Sequence, residues 1–138
     1  PESYLKKIIS LIDIYDCEKY VYFMSGNDHV LKQLGVLAPH LERCVGGGDA
    51  KDLVVERAIE MGCEKVQFFK EHISKEKVDL AHEHGIICNA FFADTVEKAE
   101  EYFAIGVDCI LTNDYQRMYN AFKDRLDSGC AIPTRAKK

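Results

Sequence analysis

Lys70, Glu71 and His72 set a cation, a carboxylate and an imidazole at consecutive positions, the materials for holding a phosphodiester or moving a proton. Neighbouring loop residues point in different directions, so the expectation is a solvated turn ahead of Ser74 from which Lys70 alone meets a ligand. Gly46, Gly47 and Gly48 offer backbone N–H groups that can approach a phosphate where a helix begins. The run lacks the Lys-Ser/Thr of a Walker loop and the G-x-G-x-x-G spacing, and a plain turn explains it equally well. In the run from Ile86 to Phe92 side chains alternate, which puts Asn89 and Phe91 on one face near the carboxyl end. An amide and a ring facing a cavity suit a polyol or an organic phosphate. Asp28–His29 and Asn113–Asp114 are polar pairs where helices begin, and N-capping accounts for them. His82 and His84 lie two apart on a helical segment, so they diverge and read as surface residues.

These residues sit on a repeating frame. Tyr20 to Met24 is an aromatic and β-branched run stopped by Ser25, Gly26, Asn27 and Asp28, and the same texture returns at 43–46, 65–69, 86–92 and 107–112. Between these strands lie amphipathic segments carrying Leu53, Val54, Ala58 and Ile59, then Val78 and Ala81, then Val96, Ala99 and Phe103. Gly62, Gly85 and Gly106 each stand between a helix end and the next strand, where a left-handed terminal residue is wanted. Asp49, Ser74 and Asp94, the last with Glu97 three residues on, mark helix starts. An N-terminal helix (Leu5, Ile8, Ile9, Ile12) and a last helix (Tyr115, Met118, Tyr119, Phe122, Leu126) complete the order α(βα)₅ within a single domain, residues 1–138. Residues 127–138 carry little periodicity and read as a flexible tail.

The chain has 138 residues with 18 basic and 23 acidic side chains, and the net charge of −5 argues against nucleic-acid binding by backbone electrostatics. No apolar run approaches the roughly 20 residues that a membrane span needs. Six cysteines stand 19 to 27 residues apart, with no C-x-x-C pair and no neighbouring Cys/His set at zinc spacing, so they read as reduced, mostly buried thiols. That favours a reducing compartment, and a cytoplasmic location is the expectation. No signal peptide is visible, and the chain opens on Pro1 without an initiator Met, which leaves room for an upstream segment.

Strands apolar on both faces require a parallel sheet covered by helices. Two architectures fit: an open, five-stranded flavodoxin-like sheet, or five of the eight units of a TIM barrel. A phospho-accepting receiver domain would need an Asp after the third strand and a Lys after the fifth, where this chain has Lys70 and Asn113. Phosphoacceptor function is disfavoured.

The fourth and fifth units resemble the C-terminal part of the glycerophosphodiester phosphodiesterase family. Ala81 to Gly85 matches that family's "A-x-x-x-G", Phe91–Phe92 its aromatic strand, Asp94 with Glu97 its "D-x-x-E", and Gly106 to Asn113 its "G-V-D-G-I-I-T-D/N". Met24 to Leu34 with Pro39 resembles the family's serine-ended strand and following helix. The family's Trp in strand seven is Phe91 here, and the Gly of its last strand is Cys109. The resemblance implies a partial TIM barrel, strands four to eight, whose pocket walls are Gln67 and Lys70 from the third strand here, Asn89 and Phe91 from the fourth, and Asn113 from the fifth. It also implies a reaction, hydrolysis of glycerophosphodiesters to glycerol 3-phosphate and an alcohol, with a divalent cation, Ca²⁺ or Mg²⁺, and a His pair as acid and base. The family's His-Arg-Gly, Glu-x-Asp, second His and metal-binding Glu have no counterpart in this sequence, so no catalytic or metal residue carries over and no activity is expected of the chain alone. Five strands of a barrel leave two open edges and half an apolar interior, to be covered by an N-terminal half-barrel or by a second copy in a homo-oligomer. The alternative is a non-enzymatic binding or structural domain.

Overall fold

The computed structural model describes residues 2–127, so the expected tail lies outside the described residues apart from Asp127, which closes the last helix. Helices α1 (Glu2–Tyr15), α2 (Asp28–Leu37), α3 (Val54–Met61), α4 (Lys75–Glu83), α5 (Val96–Ala104) and α6 (Tyr115–Asp127) alternate with strands β1 (Tyr22–Ser25), β2 (Glu42–Gly46), β3 (Lys65–Phe69), β4 (Ile87–Phe91) and β5 (Cys109–Leu111). No helix among the described residues is long and apolar enough to cross a membrane.

All strands are parallel, and their order in the sheet is their order in sequence, β1-β2-β3-β4-β5. A doubly wound sheet reverses direction at a switch point, whereas here every crossover advances the same way. The flavodoxin-like alternative is thereby excluded, and the fold is a partial TIM barrel. Parallel crossovers are right-handed, so unidirectional advance lays every connecting helix on one side of the sheet.

The two faces of the sheet follow from that. Val45, Val66, Phe68, Cys88 and Ala90 face the helices and join Leu31, Val54, Val55, Ala58, Val78, Ala81, Ala99, Tyr102, Met118 and Phe122 in one continuous core. The alternate residues, in paired rows, face the other way: Met24, Cys44, Lys65 and Ile87; then Gly46, Gln67, Asn89 and Cys109; then Phe69, Phe91 and Leu111. This is the face a closed barrel turns inward. It is mixed rather than apolar, which corrects the expectation of strands apolar on both faces: Gln67 and Asn89 occupy its middle, and Tyr22, Met24 and Phe91 are exposed on it.

Local signals hold in part. Gly62, Gly85 and Gly106 adopt φ of 64°, 68° and 98° at three helix ends, as their positions require. Ser74 caps α4 by accepting the Lys77 N–H. Other starts shift. Strand β1 begins at Tyr22 because Glu18–Tyr20 forms a 3₁₀ turn, and α3 begins at Val54 behind another at Lys51–Leu53, so Asp49 caps nothing. Thr95, not Asp94, caps α5.

Truncation on the two faces separates them energetically. Phe68→Ala, at a fully buried site, is expected to cost about 3–5 kcal/mol in urea unfolding, while Met24→Ala on the bare face costs under about 1 kcal/mol. Equal losses would contradict a one-sided core.

Candidate functional site

In parallel α/β folds ligands lie beyond the carboxyl ends of the strands, where five loops gather here. One buried arginine holds the first two. Arg57, on α3, is 9% exposed; Nε and Nη2 donate to Asp28 Oδ1 at 3.0 and 2.6 Å, and Nη2 also donates to the Gly26 carbonyl at 2.9 Å. Its Nη1 donates to the carbonyls of Gly47 at 2.7 Å and Ala50 at 3.3 Å. The β1 loop is thus clamped to the β2 loop, and the two backbones touch: a Cβ on Gly26 would stand 2.6 Å from the Gly48 nitrogen. The glycine run is accounted for by this approach and by φ of 68° and 82° at Gly47 and Gly48. Asp28 serves the arginine, and the cap of α2 is Asn27, whose Oδ1 accepts the His29 N–H at 3.0 Å.

The floor of the site is the row through Gln67 and Asn89, directly paired across β3 and β4 and only 2% and 4% exposed. Gln67 Oε1 is buried without a hydrogen-bond partner among the described residues, an acceptor left open beneath the mouth, and such groups in native proteins point to an unfilled role. Above it the Phe91 ring lies 5.3 Å from Phe69 and 5.2 Å from Phe92, centroid to centroid. Lys70 Nζ sits 4.3 Å over Phe92, and Lys51 Nζ 5.8 Å over Phe69. Two ammonium groups therefore flank three phenyl rings. Of the consecutive Lys70, Glu71 and His72, the lysine lies over Phe92 while His72 Nδ1 is turned to Asp52.

The last two loops are clasped by Asp94. Its carboxylate accepts the Asn113 backbone N–H at 2.7 Å, Asn113 Nδ2 at 2.9 Å and the Thr112 hydroxyl at 3.2 Å. The Asn113 amide side chain and then its backbone N–H hold the Asp94 carboxyl below its usual range. Asn113 thus orders the mouth through Asp94, while Asp114 caps α6 by accepting the Arg117 N–H at 3.1 Å. The structure brings Gln67, Asn89, Phe91 and Lys70 to one mouth and places Asn113 at its rim. Arg57 and Lys51 went unread, since a lone cation on a helix or turn carries no signal of the carbonyls or rings it will meet.

Among the described residues no three His, Cys or carboxylate atoms at this mouth stand close enough to share a divalent cation, and Asp28 is committed to Arg57, Asp94 to Asn113 and Asp52 to His72. Among the described residues, the one grouping of His, Cys and carboxylate atoms close enough to share an ion is at the other end of the strands.

No protein-family model and no curated protein matches the chain. Solved structures do. A Galdieria sulphuraria protein assigned as a glycerophosphodiester phosphodiesterase superposes with a TM-score of 0.78 at 22% identity, over 86% of this chain and 50% of that one. A glycerophosphodiester phosphodiesterase from Parabacteroides distasonis gives 0.73 at 17% identity, over 91% and 52%. A phosphodiesterase from Oleispira antarctica, solved with the product sn-glycerol-3-phosphate, gives 0.68 at 17% identity, over 86% and 50%. The chain spans about half the length of these neighbours, and what it shares with them at such identities is the fold.

Arg57→Met leaves carbonyls and Asp28 without their donor and is expected to cost about 2–3 kcal/mol in urea unfolding, less than a fully buried pair because Asp28 is 40% exposed. Asp94 titrates below its ordinary value of 3.8, so its contribution to stability is complete above that pH and is lost as acid brings the pH down through the folded value. NMR titration of the Asp94 carboxyl carbon should show Asn113→Ala moving it back toward 3.8; an unmoved titration would contradict the clasp.

Proposed function

We propose that this chain is the substrate-side half of a glycerophosphodiester-hydrolysing barrel, the C-terminal five of eight units. The observation that carries the reading is the polar, ligand-ready row on the bare face, Gln67 beside Asn89 with an open carbonyl oxygen, lying under Lys70 and Phe91 at the strands' carboxyl ends. In this reading Lys70 meets the phosphate, Gln67 and Asn89 the glycerol hydroxyls, and Phe91 the carbon skeleton, with Asn113 ordering the rim. It is supported by the shared fold with phosphodiesterases, one of which holds sn-glycerol-3-phosphate.

The reaction class is phosphoric diester hydrolysis releasing glycerol 3-phosphate and an alcohol, a step of lipid metabolism. Acid, base and the divalent cation, Ca²⁺ or Mg²⁺, would come from a complementary N-terminal half-barrel, since residues 1–138 carry none of the motifs that supply them. Edge strands β1 and β5 are where that half would pair, and the outward Tyr4, Leu11 and Tyr15 of α1 would meet its last helix. The chain alone binds and does not turn over. The free thiols Cys17, Cys44, Cys63, Cys88 and Cys109 support a cytoplasmic site of action. A second reading, a non-enzymatic half-barrel that homo-oligomerises, is favoured by exposed Tyr22, Met24 and Phe91, which a second copy would cover as well.

Isothermal titration with sn-glycerol 3-phosphate tests the first reading. The expected result is measurable binding that Lys70→Ala weakens about tenfold, roughly 1.4 kcal/mol. No binding by the parent chain, or an unaffected variant, would contradict it.

A further inference from the structure

At the amino-terminal end of the strands, away from the mouth, three donor side chains from separate parts of the chain converge. His82 on α4, Cys88 in β4 and Asp108, one residue ahead of β5, bring a ring nitrogen, a sulfur and a carboxylate oxygen within 4.8 Å of one another. His82 Nε2 is 2.9 Å from Asp108 Oδ2, and the same oxygen accepts the Cys88 backbone N–H at 2.7 Å. Cys88 is wholly buried, whereas the Asp108 and His82 side chains are 16% and 40% exposed, so the cluster grades from core to solvent and an ion has a way in. Gly106, at φ 98°, runs beside the imidazole, where a Cβ would crowd Val78 Cγ1 at 3.2 Å and stand in ordinary contact with His82 Cε1 at 3.6 Å.

We propose that His82, Cys88 and Asp108 form a structural site for a zinc-class divalent ion, with water as the fourth ligand. Nitrogen and oxygen donors about 2.0 Å from a tetrahedral ion stand about 3.3 Å apart, and a sulfur at about 2.3 Å stands about 3.5 Å from either. The His82–Asp108 separation is a few tenths of an ångström short of this, so the ion takes the place of the proton the two now share. Rotation of the Cys88 side chain brings the sulfur the rest of the way. On binding, the Cys88 thiol proton leaves to solvent and the sulfur coordinates as thiolate, while the proton between His82 and Asp108 is displaced to Nδ1 of the ring, which coordinates as neutral imidazole through Nε2. Thiolate with imidazole selects zinc-like ions over Ca²⁺ and Mg²⁺, which sets this site apart from the hard-cation chemistry expected at the mouth. The ion would join α4, β4 and the edge strand β5.

Cobalt titration of the reduced chain tests the site. The expected result is a sulfur-to-cobalt charge-transfer band that saturates at one ion per chain, is displaced by Zn²⁺, disappears in Cys88→Ser and weakens at least about tenfold in His82→Gln. Zn²⁺ should also raise Tm, because an ion bound only by the folded state stabilises it. Cys109→Ser, at the exposed thiol on the bare face, should leave the band intact. If Cys88→Ser fails to fold by circular dichroism, His82→Gln at its exposed position decides. Absence of the band, its survival in His82→Gln at undiminished affinity, or its loss in Cys109→Ser would overturn the proposal.

Discussion

A parallel sheet whose strands advance without reversal must carry its helices on one side, and every other feature of this chain follows from that constraint. It divides each strand between a helix-facing row, which supplies the core through Val45, Val66, Phe68 and Cys88, and an opposite row that none of the connecting helices covers among the described residues. It also gathers all five strand-to-helix loops at one end. Polar Gln67 and Asn89 stand in the middle of the opposite row, almost wholly shielded from solvent.

The gathered loops are then stiffened by two polar clasps of different construction. Arg57 works from below with a planar fork that satisfies three loop carbonyls and one carboxylate, a task that a lysine's single ammonium cannot match. Asp94 works from within, accepting both donors of Asn113 and the hydroxyl of Thr112. Between the clasps lie Lys70 and the phenyl rings of Phe69, Phe91 and Phe92. The far end of the sheet is organised separately, around Asp108 and His82, which tie α4 to the entry of β5. The clasped mouth and this brace thus occupy opposite ends of the same strands.

Much of this was legible because its physics is local. Strand β3 spans Lys65–Phe69 as its aromatic and β-branched texture indicated, and the three glycines at helix ends have the positive φ that their positions demanded. Alternation alone placed Asn89 and Phe91 on one face. Legibility failed where partners are distant in sequence. Asp94 looked like a cap but is drawn to a loop 18 residues on, which passes the cap to Thr95. Arg57 finds Asp28 from 29 residues away, and nothing in its own neighbourhood foretells that. The choice between barrel and open sheet was equally hidden, since strand order lives in long-range pairing that periodicity does not encode. The resemblance to one family over most of residues 20–114 supplied that choice, and the pairing and the solved neighbours bear it out.

The claim on which the account rests is that the bare face, at the carboxyl ends of the strands, is a phosphate-ester site. Amide chemical-shift mapping on the isotope-labelled chain, titrated with sn-glycerol 3-phosphate, tests it most directly. The account predicts shifts concentrated at Gln67, Lys70, Asn89, Phe91 and the loops beside them, with the region of His82 and Asp108 unmoved. Shifts centred on that opposite end, or none at all, would contradict it.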